Sequence, residues 1–241
     1  MELRFKKTPR GGIEQELTQW DQFSTDELQA AEALVRESHQ NSLDAALKGA
    51  VVRTRVSVRQ VEERHAPYFD ALFKPLRPHL EHATAQSSAG HKYMPTDLAR
   101  PRVLVVEDFG TTGLLGLVDD RDDQNFSDFW RRLGRSHKRG GGLGSWGLGK
   151  LAFPATSIAR TFFGLTVRSE GTPGPYLLGQ TILQHHEIDG EKYAPYGFFA
   201  EHEADFELPV SDTEVISRFK EAFGITRSDE PGLSIAVPFV S

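Results

Sequence analysis

The chain has 241 residues, with 28 basic against 34 acidic side chains, a formal charge of −6, 38% hydrophobic residues and no cysteine. That length gives one large domain or two small ones with a real core, and the composition excludes a disordered chain. The mild acidity argues against a dedicated nucleic-acid binder, though it leaves room for a local basic patch, and the missing cysteines exclude a disulfide scaffold, a thiolate nucleophile and a cysteine zinc site. The amino-terminal stretch MELRFKKTPRGG has no apolar run of signal-peptide type. No segment approaches the roughly 20 apolar residues of a membrane span. The expectation is a soluble, cytoplasmic protein.

In chain order, residues 1–24 read as an amino-terminal extension. Ser24 and Glu27 stand at capping-box spacing and open a helix-forming run from Thr25 to about Ala50. Val52, Thr54, Val56 and Val58 then alternate with Arg53, Arg55, Ser57 and Arg59, the pattern of a strand with one wet face. Residues 65–82 read as helical with interruptions at Pro75 and Pro78, and 84–92 as a polar loop. Val103 to Val106 is a short apolar run of the kind found in strands buried on both faces. A short helix is expected over 125–133, strands over 161–168 and 176–183, and no clear element over 185–209. Ser211 and Glu214 form a second capping-box pattern, opening a helix to about Phe223, and Leu233 to Val240 reads as the last strand. With no internal repeat or linker, one α/β domain over 25–241 is favoured. Its closing strand runs to the chain end, as in the amino-terminal module of a larger protein.

Three segments carry candidate chemistry. On the first helix, Glu37, Asn41 and Asp44 fall at i, i+4 and i+7 on one face. Two carboxylates and an amide there can hold a cation such as Mg²⁺ and activate a water; the same spacing also fits a solvated helix face. The second segment, Glu107 to Leu114, follows the buried strand directly, where open α/β sheets place ligands. Asp108 can accept a hydrogen bond from an exocyclic amine, and Gly110 and Gly113 let a ring approach the backbone; an ordinary turn is the plain alternative.

The third, Arg139 to Lys150, holds six glycines between Gly140 and Gly149. Exposed amides running into a helix form an anion-binding nest, whereas a flexible linker is at odds with Trp146 and the apolar run after Lys150. Gly142 to Gly147 matches the dinucleotide pattern, and Gly144 to Lys150 most of a phosphate loop. Neither follows a predicted strand, and Leu151 stands where the phosphate loop needs a hydroxyl. Of the histidines, His79 and His82 lie one turn apart and His185 and His186 are adjacent, without zinc-helix spacing, so surface or structural roles are expected. No nucleophile elbow supports a serine hydrolase.

Taken together and in order, these segments resemble the GHKL superfamily of ATPases, which includes gyrase-type topoisomerases, heat-shock chaperone ATPases, MutL proteins, MORC proteins and histidine kinases. The first family motif resembles Glu37-Ser38-His39-Gln40-Asn41-Ser42-Leu43-Asp44-Ala45, closest to the chaperone, MutL and gyrase-like version. Asp-x-Gly-x-Gly resembles Asp108 to Gly113 with one extra residue. Gly-x-x-Gly-x-Gly resembles Gly144-Ser145-Trp146-Gly147-Leu148-Gly149. The Gly-Thr-x-Ile strand resembles Gly232-Leu233-Ser234-Ile235, with Leu233 in place of threonine. Stretches 62–100 and 185–209 have no counterpart in the resemblance.

The resemblance implies a Bergerat ATP-binding fold, a two-layer α/β (α+β) sandwich whose mixed, largely antiparallel sheet is covered on one face by helices. It implies ATP and Mg²⁺ as ligands: Asn41 on the metal, Asp108 on the adenine amine, Gly110 and Gly113 giving the base room, and Gly144, Gly147 and Gly149 in a lid over the phosphates together with Trp146 and Leu148. Glu37 would be the general base, and Asp44 would take a supporting role, holding the helix or a bound water. Lys150, beside the nest, is added on charge alone, since a cation there can neutralise phosphate; a solvated lysine is the equal alternative. The expected function is Mg-ATP hydrolysis driving conformational change or nucleotide-dependent homodimerisation in a larger DNA-handling or defence protein, with partner proteins and no membrane. The alternative is a non-hydrolysing nucleotide switch that gates a partner.

Overall fold

A computed structural model describes residues 1–9, 11, 27–122, 124–132, 149–204 and 206–240. Nine strands build its frame: β1 (Glu2–Lys7), β2 (Arg53–Gln60), β3 (Arg102–Phe109), β4 (Thr161–Val167), β5 (Tyr176–Ile182), β6 (His186–Ile188), β7 (Glu191–Glu203), β8 (Phe206–Leu208) and β9 (Gly232–Pro238). Their order is β1-β7-β5-β4-β9-β3-β2, with β6 and β8 added on β7. Every strand pairing among the described residues is antiparallel, where a mixed sheet was expected. Six helices accompany the sheet: α1 (Glu27–Asp44), α2 (Ala66–Phe73), α3 (Arg77–Ala85), α4 (Asn125–Arg131), α5 (Ala152–Ala155) and α6 (Thr213–Phe223).

Strand side chains alternate between faces, so one central strand feeds two cores. On β3, Val103 and Val105 pack with Phe69 and Phe73 of α2, Leu80 of α3 and Phe219 and Phe223 of α6. Leu104 and Val106 pack on the opposite side with Leu34 of α1, Trp130 of α4 and Phe153 of α5. Helices therefore cover both faces, not the single face expected. The second cover comes from α6 together with α2 and α3, which lie in the stretch 62–100 that the resemblance leaves unmatched. The physical reason is legible in β4, whose seven residues are all buried: a strand apolar on both sides needs two partners.

Several local choices follow from particular residues. Pro67, Pro75 and Pro78 each sit in the first turn of a helical segment, where a missing N–H costs nothing, so the prolines divide 65–85 into short helices. The α6 cap is Asp212, one residue after the expected Ser211; its carboxylate accepts from the N–H groups of Glu214 and Val215. Gly224 ends that helix in the left-handed conformation. At Gly164 the absent Cβ makes room for Trp130, which stacks on Phe162 with centroids 5.4 Å apart. His79 and His186 share a hydrogen bond of 2.8 Å and join α3 to β6; burial pulls His79 down to about 4 and lowers His186 too, which fits a structural role.

Three expectations shift. Residues 2–7, set within the amino-terminal extension, are an edge strand paired to β7. Helix α1 stops at Asp44 and not near Ala50. On β2 both rows are wet where one wet face was expected: Val56 and Val58 are more than half exposed, and Arg53 and Arg55 are exposed too, although Arg53, Arg55 and Arg59 are hydrogen-bonded across to Glu230, Thr226 and the carbonyls of Glu221 and Ala222.

Candidate functional site

The site is built where the end of α1 meets the end of β3. Leu34, Ser38 and Ser42 form the buried row of α1, four residues apart. Glu37 and Asn41 form the next row and are partly exposed; the Glu37 side chain is 16% exposed and has Arg36 Nε at 3.5 Å. Asp44 is exposed and accepts from Gln40 Nε2 at 2.9 Å. Helix α1 packs against α5 and the tight turn at Gly149–Leu151.

The helix end is stitched to the loop after β3. Leu47 N–H donates to Gly110 O at 3.0 Å and Thr112 N–H to Ala45 O at 2.8 Å, around a bridge between Ala46 and Thr111. These bonds take the backbone groups that further helical turns would have used, which is why α1 ends early.

Asp108 lies at the centre of this junction, 8% exposed. Its Oδ1 accepts from Thr111 Oγ1 and from the Leu233 N–H, both at 2.7 Å. Its Oδ2 lies 3.2 Å from Ser42 Oγ, whose one proton has its nearer acceptor in Ser38 O at 2.8 Å.

Behind Asp108 is a buried ionic group that the sequence reading missed. Arg227 is 1% exposed; its Nη2 lies 3.8 Å from Asp108 Oδ1 and donates to the carbonyls of Asp108 and Leu233. Its Nε donates to Ser234 Oγ and its Nη1 to Glu230 O, both at 2.9 Å. Glu107 accepts from Thr226 Oγ1 at 2.6 Å, from the N–H groups of Thr226 and Arg227, and from Ser234 Oγ. Burial is the main influence on Arg227 and pulls its pKa below the usual value, opposed by Asp108, Glu107 and Glu230. Four donations and a flanking carboxylate leave the guanidinium almost fully matched, as a buried charge requires.

The glycines make room for the chain's own backbone. A Cβ on Gly110 would stand 2.5 Å from Val51 O, and one on Gly113 would run into Val167 O; both residues have positive φ. The close approach they permit in this structure is that of the chain's own backbone.

Lys150 is 8% exposed and points away from open solvent. Its Nζ donates to Phe129 O at 2.6 Å and lies 3.5 Å from Asp128 O, near the carboxyl end of α4. Burial lowers its pKa to about 7, with Asp128 pulling the other way. Gly149 opens the turn before it. Gly144, Trp146, Gly147 and Leu148 lie outside the described residues.

An apolar cavity of about 180 Å³ opens between α1, β2 and β3, lined by Leu34, Val35, Val56 and Val106 among others. It lies on the far side of the buried row from Glu37 and Asn41. No group of three or more histidine or acidic side chains among the described residues is arranged to hold a metal ion. A divalent cation at Asn41 therefore needs oxygens from a bound phosphate and from water, the habit of Mg²⁺. No helix among the described residues is long and apolar enough to cross a membrane. No family model matches this chain, and no curated protein matches it in sequence.

Proposed function

We propose that the chain is a GHKL-type module with the Bergerat fold that binds and hydrolyses Mg-ATP, with a nucleotide-driven change of conformation or association as its output. The observation that carries this reading is the contact between Ser42 Oγ and Asp108 Oδ2 at 3.2 Å. It joins two segments, 66 residues apart, that the sequence singles out separately, and it brings α1, the helix that carries Glu37 and Asn41, against the end of β3.

In this reading the Asp108 carboxylate accepts the exocyclic amine of adenine. The Asn41 amide oxygen is the protein's ligand to the cation, whose chemistry is to neutralise and align the phosphate oxygens. Glu37 orients the attacking water and takes its proton; partial exposure keeps it reachable from solvent. Phosphoryl transfer depends mainly on positioning and charge stabilisation, so Glu37 affects turnover more than binding.

The test is calorimetric titration with a non-hydrolysable ATP analogue and Mg²⁺, followed by phosphate release. Wild type is expected to saturate, Asp108→Asn to lose binding, and Glu37→Ala to bind normally while hydrolysing about 100-fold or more slowly. No binding by the folded wild-type chain overturns the reading. Equal, measurable turnover in wild type and Glu37→Ala removes Glu37 from its role. Binding without turnover in any form of the protein assigns the alternative, a non-hydrolysing switch.

A further inference from the structure

In the closing strand, Leu233 stands where the resembling family has threonine, so β9 offers Asp108 only a backbone N–H there. The hydroxyl that meets the carboxylate comes instead from Thr111, three residues after Asp108 and completely buried. Thr111 is itself fixed, because the bridge to Ala46 ties its backbone to the end of α1.

A carboxylate offers about four lone-pair positions, two on each oxygen. Thr111 Oγ1 and Leu233 N–H, each at 2.7 Å, fill both positions on Oδ1. Oδ2 has Ser42 Oγ 3.2 Å away, and the one proton of that hydroxyl has a nearer acceptor in Ser38 O at 2.8 Å. The open acceptor position is therefore on Oδ2, the oxygen nearest α1. Rotation of the carboxylate about its own axis would break the two short bonds on Oδ1, so that position is fixed in space.

We propose that Thr111 is a positioning residue for base selection: its hydroxyl holds the Asp108 carboxylate so that Oδ2 alone is left to accept from the ligand. A site of this kind takes a ring edge bearing an amine, as on a 6-aminopurine, and rejects a 6-oxopurine, which would set a carbonyl oxygen against the carboxylate. The selection rests on the nucleotide reading above, but the hold of Thr111 on the carboxylate does not. Its reporter is the Leu233 amide, which shares Oδ1 with Thr111.

The variants are Thr111→Val, which keeps the shape and removes the hydroxyl, and Thr111→Ser, which keeps the hydroxyl. Each is titrated with non-hydrolysable analogues of ATP and of inosine triphosphate, and hydrogen exchange at the Leu233 amide is followed by NMR without nucleotide. Losing a hydrogen bond to a charged group is expected to weaken the ATP analogue about tenfold in Thr111→Val. The inosine analogue should be little affected, so the preference for the amine collapses, the Leu233 amide exchanges faster, and Thr111→Ser restores both. A loss of affinity equal for the two analogues, with the preference kept, marks general destabilisation and overturns the proposal. If wild type binds neither analogue, the nucleotide reading falls, and base selection falls with it. Unchanged Leu233 exchange in Thr111→Val overturns the positioning role, whatever the nucleotide result.

Discussion

Lys150 carries the clearest pH signature in the molecule. Its amine is buried with the carbonyls of Phe129 and Asp128 as hydrogen-bond partners, and burial lowers its pKa from 10.5 to about 7. The sign follows from proton counting. Below pH 7 the amine is charged in both the folded and the unfolded chain, and the folded state bears the whole desolvation cost. Between about 7 and 10.5 the unfolded chain binds one more proton than the folded one, so stability rises with pH across that window. Each pH unit is worth about 1.4 kcal/mol, and the full window at most about 5 kcal/mol.

Lys150→Met keeps the stem and removes the titration. It also leaves Phe129 O without its donor, an offset of about 1–3 kcal/mol. The assay is urea unfolding of both proteins at pH 6, 7, 8, 9 and 10. Other groups titrate alike in the two, so the difference isolates Lys150. The variant is expected to stand best relative to wild type at pH 6–7 and to lose ground by several kcal/mol by pH 10. A difference that does not change with pH refutes the assignment of a buried, neutralisable amine.

Two further outcomes test the packing. Gly164→Ala places a methyl group 2.7 Å from Trp130 Cζ2, which is itself stacked on Phe162 and cannot swing aside. The expected loss is about 1–3 kcal/mol, seen as a Tm lower by about 2–4 °C per kcal/mol, and an unchanged Tm would show that α4 is not seated on β4 as described. Arg227→Met removes four donations, to Ser234 Oγ and three carbonyls, and takes away the cation beside the buried Asp108 and Glu107 carboxylates, so a loss of about 3–5 kcal/mol is expected in urea unfolding, with Glu107→Gln recovering part of it in the double variant. A single-variant loss below about 1 kcal/mol would mean that the buried charge is not paired as the geometry has it.

How far the fold could be read depended on whether an element's cause was local. Strands β3, β4, β5 and β9 were legible because short apolar stretches bounded by turn residues fit buried strands. The helix after Asp212 was legible, shifted by one residue, because capping chemistry sits within four residues of the helix it starts. Strand β1 was not: only Leu3 and Phe5 alternate with charged neighbours, and Phe5 is buried against Gly197 of β7, almost 200 residues away. The valine row of β2 misled for a similar reason. Alternation predicts which residues share a face but not whether that face meets the core, and at a sheet edge the arginines found the partners.

The same distinction explains what was legible in the candidate site. Asp108 and the Glu37–Asn41 row show in the sequence because each lies in a dense local pattern, one after a buried strand and the other along one helix face. Arg227 shows nothing of the kind. In the sequence it sits among Thr226, Ser228, Asp229 and Glu230, a stretch that reads as an exposed loop. Its burial follows from the β3–β9 register, which sets Ser234 opposite Glu107 and so carries the loop before β9 over the end of β3. Once Glu107 is enclosed at 1% exposure, a cation must accompany it, and the guanidinium, with donors in a fixed fork, can satisfy Ser234 and three carbonyls at once. A lysine placed there has three donors and no fork, and it would leave part of that set unmet. The placement of Arg227 beside Asp108 and near Glu107 is therefore a consequence of register, and register is a long-range property that no window of the sequence contains.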